Sequence, residues 1–147
     1  LTETAAQDGI EFRMDIGQRS NTILAHRLMW WTGVNHNYEV QSRLKEDLLN
    51  AYFTHGVNVG DADELISIGV GSIPHDSDDL EFAEYLRAFF ASDAGKGEVA
   101  EELATAISHG ITGVPTYVIN GQWSIPGAQD SETFERVLRR TAERMAT

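Results

Sequence analysis

The sequence predicts an α/β chain: a predominantly helical region over residues 1–110, with an extended N-terminal lead-in, then a β-hairpin and a closing helix over residues 111–147. Three observations carry this reading. Apolar residues recur at three- and four-residue intervals from Ile23 to Ile107, the period of helices that bury one face. Thr116-Tyr117-Val118-Ile119 is a run of β-formers that leads into Asn120-Gly121, a dipeptide suited to a hairpin turn because both residues tolerate positive φ. Beyond it, Phe134, Val137, Leu138 and Ala142 fall on one side of a last helix.

Each element has its own signal. Glu11-Phe12-Arg13-Met14-Asp15-Ile16 alternates polar and apolar residues before Gly17, which predicts either a strand or an extended lead-in. Ser20 or Asn21 is placed to cap a helix that carries Ile23, Leu24, Leu28 and Trp31 toward Gly33. A second helix, from about Tyr38 to Thr54, sets Val40, Leu44, Leu48, Ala51 and Tyr52 at helical spacing before Gly56. Asp61 and Glu64 have capping-box spacing ahead of Leu65, Ile66 and Ile68, so a short helix is expected to end near Gly69. The following GVGSIPHDSDD reads as a connecting turn. Leu80, Phe82, Leu86 and Phe89 mark a fourth helix. A fifth starts at Ser92 or Asp93, carries Val99, Leu103, Ala106 and Ile107, and stops at Gly110. The second hairpin strand is expected over residues 122–125, and Asp130 or Ser131 caps the last helix. No linker separates these elements, so they are read as one structural unit.

Composition excludes several functions. With 147 residues and 41% hydrophobic content, the chain is long enough to bury a core. Its 11 Lys and Arg stand against 23 Asp and Glu, and they are scattered, which argues against nucleic-acid binding through phosphate contacts. No apolar run approaches the roughly 18 residues of a membrane span, and the start lacks a signal-peptide pattern, so no membrane association is expected and the cytoplasm is the default compartment. Zero cysteines exclude an internal disulfide, a thiolate metal site and a thiol nucleophile within these residues. His36, His55 and His75 lack helical metal-ligand spacing, and neither a metal nor a cofactor is expected.

Several stretches together carry a resemblance: DGIEF at residues 8–12, NTILAHRL at 21–28, LLNAYFTHGVNV at 48–59, GITGVPTYVING at 110–121 and IPGAQDSETF at 125–134. Over nearly its whole length the chain resembles the DsbA-like thioredoxin-fold family, and most closely the FrnE-type members described as predicted dithiol-disulfide isomerases. The resemblance implies a thioredoxin domain interrupted by a helical insert, with the active-site Cys-x-x-Cys upstream, after the first strand. This chain then holds the helical insert and the closing β-β-α unit, an incomplete thioredoxin fold without the first β-α-β portion. It begins at Leu1, where the matched motifs also start, and is expected to be a fragment of a longer protein; the other reading is a natural chain that has lost the catalytic half.

The resemblance also implies a site. Gly113, Val114, Pro115 and Thr116 would form the substrate-docking segment, with a cis Val114–Pro115 bond whose neighbouring backbone groups pair with an extended substrate. From the residues alone that bond reads as trans, since only about 5–6% of X–Pro bonds in folded proteins are cis. No residue of this chain is expected to be catalytic, because disulfide exchange needs a thiolate. His26 has two readings: a group near the redox site that tunes a thiolate, or, preferred, a hydrogen-bonded core or helix-packing histidine. Trp30-Trp31 and Phe89-Phe90 are read as core, and His109 as a helix C-terminal residue favoured by the macrodipole.

The leading functional reading is therefore part of a thiol-disulfide oxidoreductase acting on protein or small-molecule disulfides, redox-inactive by itself. A relative of kappa-class glutathione transferases and 2-hydroxychromene-2-carboxylate isomerases is the enzyme alternative, and GAQ at residues 127–129 favours the disulfide branch. The third reading is a cysteine-free module that binds peptides or partners. Without the first strand, the edge of residues 116–119 is expected to pair with a second copy, as a homodimer, or with residues 11–16.

Overall fold

The computed structural model describes residues 2–17 and 19–145, which form two compact units, Leu1–Glu101 and Glu102–Thr147. In the first unit, α1 (Thr2–Gln7), α2 (Ile23–Asn35), α3 (Tyr38–Phe53), α4 (Ala62–Ser72) and α5 (Asp79–Ala91) follow one another. α6 (Lys96–Ser108) runs on into the second unit, where β1 (Thr116–Ile119), β2 (Trp123–Pro126) and α7 (Ser131–Met145) complete the chain.

The core of the first unit is where the apolar stripes meet. α4 packs against α5, α3 and α2, and α2 against α3. Leu28, Leu44, Leu65, Ile73 and Leu86 lose nearly all their exposed surface there, with Trp31, Phe82 and Phe89 around them. Each buried leucine of this kind contributes about 1.5–3 kcal/mol of hydrophobic stabilisation. Trp31 and Phe89 are core residues, as their spacing predicts, and the indole Nε1–H of Trp31 donates to the Tyr85 hydroxyl at 3.0 Å.

A buried cation closes this core. Arg27, 1% exposed, donates from Nε to the Ala94 carbonyl at 2.9 Å and from Nη2 to the Phe89 and Ser92 carbonyls at 3.0 Å. Its Nη1 reaches the Phe90 carbonyl at 3.3 Å, and the guanidinium lies 5.0 Å from the centre of the Phe89 ring. The last carbonyls of a helix have no partner within it and carry partial negative charge, so a cation at the end of α5 satisfies both needs.

Helix ends differ from the expected positions for physical reasons. α2 passes through Gly33 because that glycine is a contact point: a β-carbon there would collide with the Gln41 amide, which donates to the Met29 carbonyl. α4 likewise does not end near Gly69. It continues to Ser72, with Gly69 pressed against Leu86. The stop comes from Pro74, since the residue before a proline is driven out of the helical region, and Ile73 is extended at φ −101, ψ 120. α6 begins later than expected, after Gly95 turns at φ +75 beside the Trp30 ring. The helix α1 was not expected at all.

Asn37, Asp61 and Asp78 cap α3, α4 and α5 by accepting backbone N–H bonds, and the Asp61 carboxylate serves both Asp63 and Glu64. Residues 11–16 are not a strand. The Arg13 N–H donates to the Phe53 carbonyl at 2.7 Å, and residues 14–16 turn. The Phe12 ring stacks on Phe53 at 4.9 Å, so the alternating pattern reflects one anchored apolar side chain and not a sheet.

In the second unit, β1 and β2 form an antiparallel pair, the whole sheet among the described residues. The expectation that residues 11–16 pair with β1 is therefore not met. Thr116 faces Pro126 and Ile119 faces Trp123, so β2 starts one residue later than expected, and Asn120 (φ 51), Gly121 (φ 67) and Gln122 make the turn. Tyr117, Ile119, Trp123 and Ile125 share one face by this register. α7 covers that face: Tyr117 meets Phe134 edge-on at 4.9 Å, Ile125 is buried, and Asn120 Nδ2 reaches the Met145 sulfur at 2.9 Å.

Candidate functional site

The segment from Gly113 to Thr116 is built by what flanks it. α6 ends at Ser108, and Gly110, at φ +73, turns the chain so that its N–H reaches the Ile107 carbonyl and the Ile111 N–H reaches the Ala106 carbonyl. Both bonds satisfy carbonyls that the last helical turn leaves free. The imidazole Nδ1 of His109 also lies 2.9 Å from the Thr105 carbonyl, which agrees with its reading as a helix-end residue.

From there the chain runs through Gly113, Val114 and Pro115 into β1. The Val114–Pro115 bond is cis. Two hydrogen bonds hold the segment: the Thr116 hydroxyl donates to the Gly113 carbonyl at 2.7 Å, and the Gly127 N–H donates to the Pro115 carbonyl at 2.7 Å. Val114 projects between them, 91% exposed. Neither its N–H nor its C=O has a hydrogen-bond partner among the described residues. A cavity of about 170 Å³ lies alongside, with Ile111, Thr112, Gly113, Ser124 and Gly127 in its walls.

The structure thus brings Gly113, Val114, Pro115 and Thr116 together with Gly127, which the sequence marks only as part of GAQ and not as a site residue. Gly127 sits at φ +75, a conformation that favours glycine, one position beyond the Thr116–Pro126 pair, and so opposite Pro115. The hairpin register points to it, once counted outward from the turn. Nearby, the Gln129 amide donates to the Pro126 carbonyl at 2.8 Å, and the Asp130 carboxylate accepts the Thr133 N–H at 2.7 Å. That backbone hydrogen bond holds the Asp130 carboxyl below its ordinary pKa of 3.8, with the Thr133 hydroxyl and Arg136 acting in the same direction.

His26 belongs to the first unit and stands elsewhere in character. It is exposed on α2, which does not agree with the preferred expectation of a core or helix-packing histidine. The buried position falls to its neighbour Arg27. His75 is placed by structure, stacked on Phe82 at 4.2 Å with its Nδ1 2.9 Å from the Ser77 carbonyl. No helix among the described residues is long and apolar enough to cross a membrane.

A mostly helical chain that ends in a β-β-α unit, with a cis proline ahead of the first strand, defines a class of thioredoxin-like proteins. The chain belongs to the DSBA-like thioredoxin domain family, which it matches over residues 1–139. Among solved structures it is similar to the crystal structure of a probable DsbA oxidoreductase from Streptomyces coelicolor, at 26% identity and a TM-score of 0.79. The match covers 95% of this chain and 56% of the Streptomyces protein, so the chain spans little more than half the length of that relative. No curated protein matches it.

Proposed function

We propose that this chain is part of a FrnE-type thiol-disulfide oxidoreductase, in which Gly113, Val114, Pro115 and Thr116 dock the disulfide-bearing substrate. The observation that carries the reading is Val114, a residue 91% exposed whose two backbone groups have no partner among the described residues, at the entry to an edge strand. A free N–H and C=O in that position offer an extended peptide the first rung of an added strand. Family membership supports the substrate class. The exchange itself proceeds by thiolate attack and a mixed disulfide, and this chain has zero cysteines, so the thiolate is supplied from outside it.

The reading frame that encodes residue 1 tests this directly. Read upstream, it is expected to encode Cys-x-x-Cys. A lone serine at that place, together with glutathione binding, transfers the chain to the glutathione-dependent branch; a frame that begins at residue 1 leaves the binding-module reading. In the protein that carries the cysteines, Val114→Asp is expected to raise KM for a disulfide peptide about tenfold through charge and lost apolar contact, with the fold unchanged since Val114 buries almost nothing. An unaltered KM rejects the docking role. We also propose that, in the isolated chain, the uncovered edge of β1 pairs with β1 of a second copy.

A further inference from the structure

Arg136, Arg139, Arg140 and Arg144 of α7 are four of the 11 basic residues in a chain with 23 acidic ones. In such an excess of carboxylates a surface arginine readily finds one, and Arg139 does, donating to Glu135 at 2.8 Å. Arg140 and Arg144 form no ion pair among the described residues. They lie one turn apart on the same helix face, and both line a cavity of about 330 Å³.

The remaining walls of this cavity are complementary in kind. Trp123, half-buried, is turned toward α7 because it shares a sheet face with the buried Ile125. Val137 adds an apolar surface, and Gln122, Ser124 and Thr141 add polar atoms. Because Ile119 faces Trp123 and Thr116 faces Pro126, the cavity lies at the turn end of the hairpin, opposite to the end that carries Pro115.

We propose that this cavity binds a small flat anion, with its ring against the Trp123 indole and its carboxylate or phosphate held by Arg140 and Arg144. A guanidinium is planar, stays charged at every relevant pH and matches both oxyanions with paired N–H donors. Two of them one turn apart give a doubly charged mouth to a slot with the Trp123 and Val137 side chains on its apolar side, and the volume is that of a one-ring ligand's site. The proposal does not depend on the disulfide-exchange reading, since it uses neither residues 113–116 nor a thiol.

The test is a ¹⁵N NMR titration of the chain with benzoate, phenyl phosphate and the neutral benzamide, following the three tryptophan indole signals and the arginine Nε signals. Benzoate or phenyl phosphate is expected to shift Trp123, Arg140 and Arg144 to saturation while Trp30 and Trp31 stay still. Saturation by benzoate alone identifies a carboxylate ligand, and by phenyl phosphate alone a phosphoryl one. Arg140→Gln/Arg144→Gln is expected to weaken binding by about tenfold or more. Should that variant not fold, added salt must weaken binding to the unaltered chain. The proposal is overturned if neither anion shifts these signals, if benzamide saturates them equally, or if binding resists both the substitutions and salt.

Discussion

Arg27 shows how a single residue sets the limits of a core. Its guanidinium sits 1% exposed among the carbonyls of Phe89, Phe90, Ser92 and Ala94. Burying a cation is costly, and the carbonyls it serves would be costly too if left unpaired. The second term decides the effect of substitution, because Arg27→Leu removes the donors to the Phe90, Ser92 and Ala94 carbonyls and leaves the Phe89 carbonyl to the Ser92 N–H and hydroxyl alone. That change is expected to lower unfolding stability by roughly 3 kcal/mol, measured by urea denaturation. A change of a few tenths would show that water replaces the guanidinium at little cost. Arg27→Lys, which keeps the charge but not the planar fork, is expected to fall between the two.

At the scale of elements, α7 and the hairpin are held together by few contacts, and the capping of α7 matters accordingly. Asp130 accepts the Thr133 N–H, and this bond lowers its pKa below 3.8. A carboxylate whose folded pKa is depressed adds stability that is complete above its unfolded pKa and disappears as pH falls through the folded value. The cap is therefore expected to be intact at neutral pH and lost as pH falls below about 3.8, toward the depressed value. The Thr133 amide shift, followed by NMR in acid, should move with the Asp130 carboxyl. In Asp130→Asn the same amide should lose that titration; if it titrates unchanged, another carboxylate is responsible.

For the molecule as a whole, the uncovered part of the second unit is the main feature. β1 has β2 on one side only among the described residues, and Val118 stands 49% exposed on the sheet face that α7 does not cover. Open apolar edges of this kind template pairing with another chain. The isolated protein is expected to sediment as a dimer at micromolar concentration, and Val118→Lys, which places a charge on the strand, to shift it toward monomer. A monomer at all concentrations would show that the edge is protected by its own side chains. The Streptomyces relative, of which this chain spans 56%, is long enough to supply such a strand from the unmatched remainder.

Much of this was legible in the chain alone. The periods of the apolar residues placed α2, α3, α5, the hairpin and α7, and Asp61 and Asp130 announced helix starts, because capping and burial of one face are local matters. Tertiary structure decided what depends on partners distant in sequence. Gly33 and Gly69 read as helix stops, yet each is a place where Gln41 or Leu86 must come close, and only packing reveals that. His26 and Arg27 are neighbours on one helix, and the position of the α5 terminus buried the arginine and left the histidine outside. Gly127 and the Arg140–Arg144 cavity likewise arise from strand register and from the helix laid over it, since a one-residue difference in pairing changes which side chains meet.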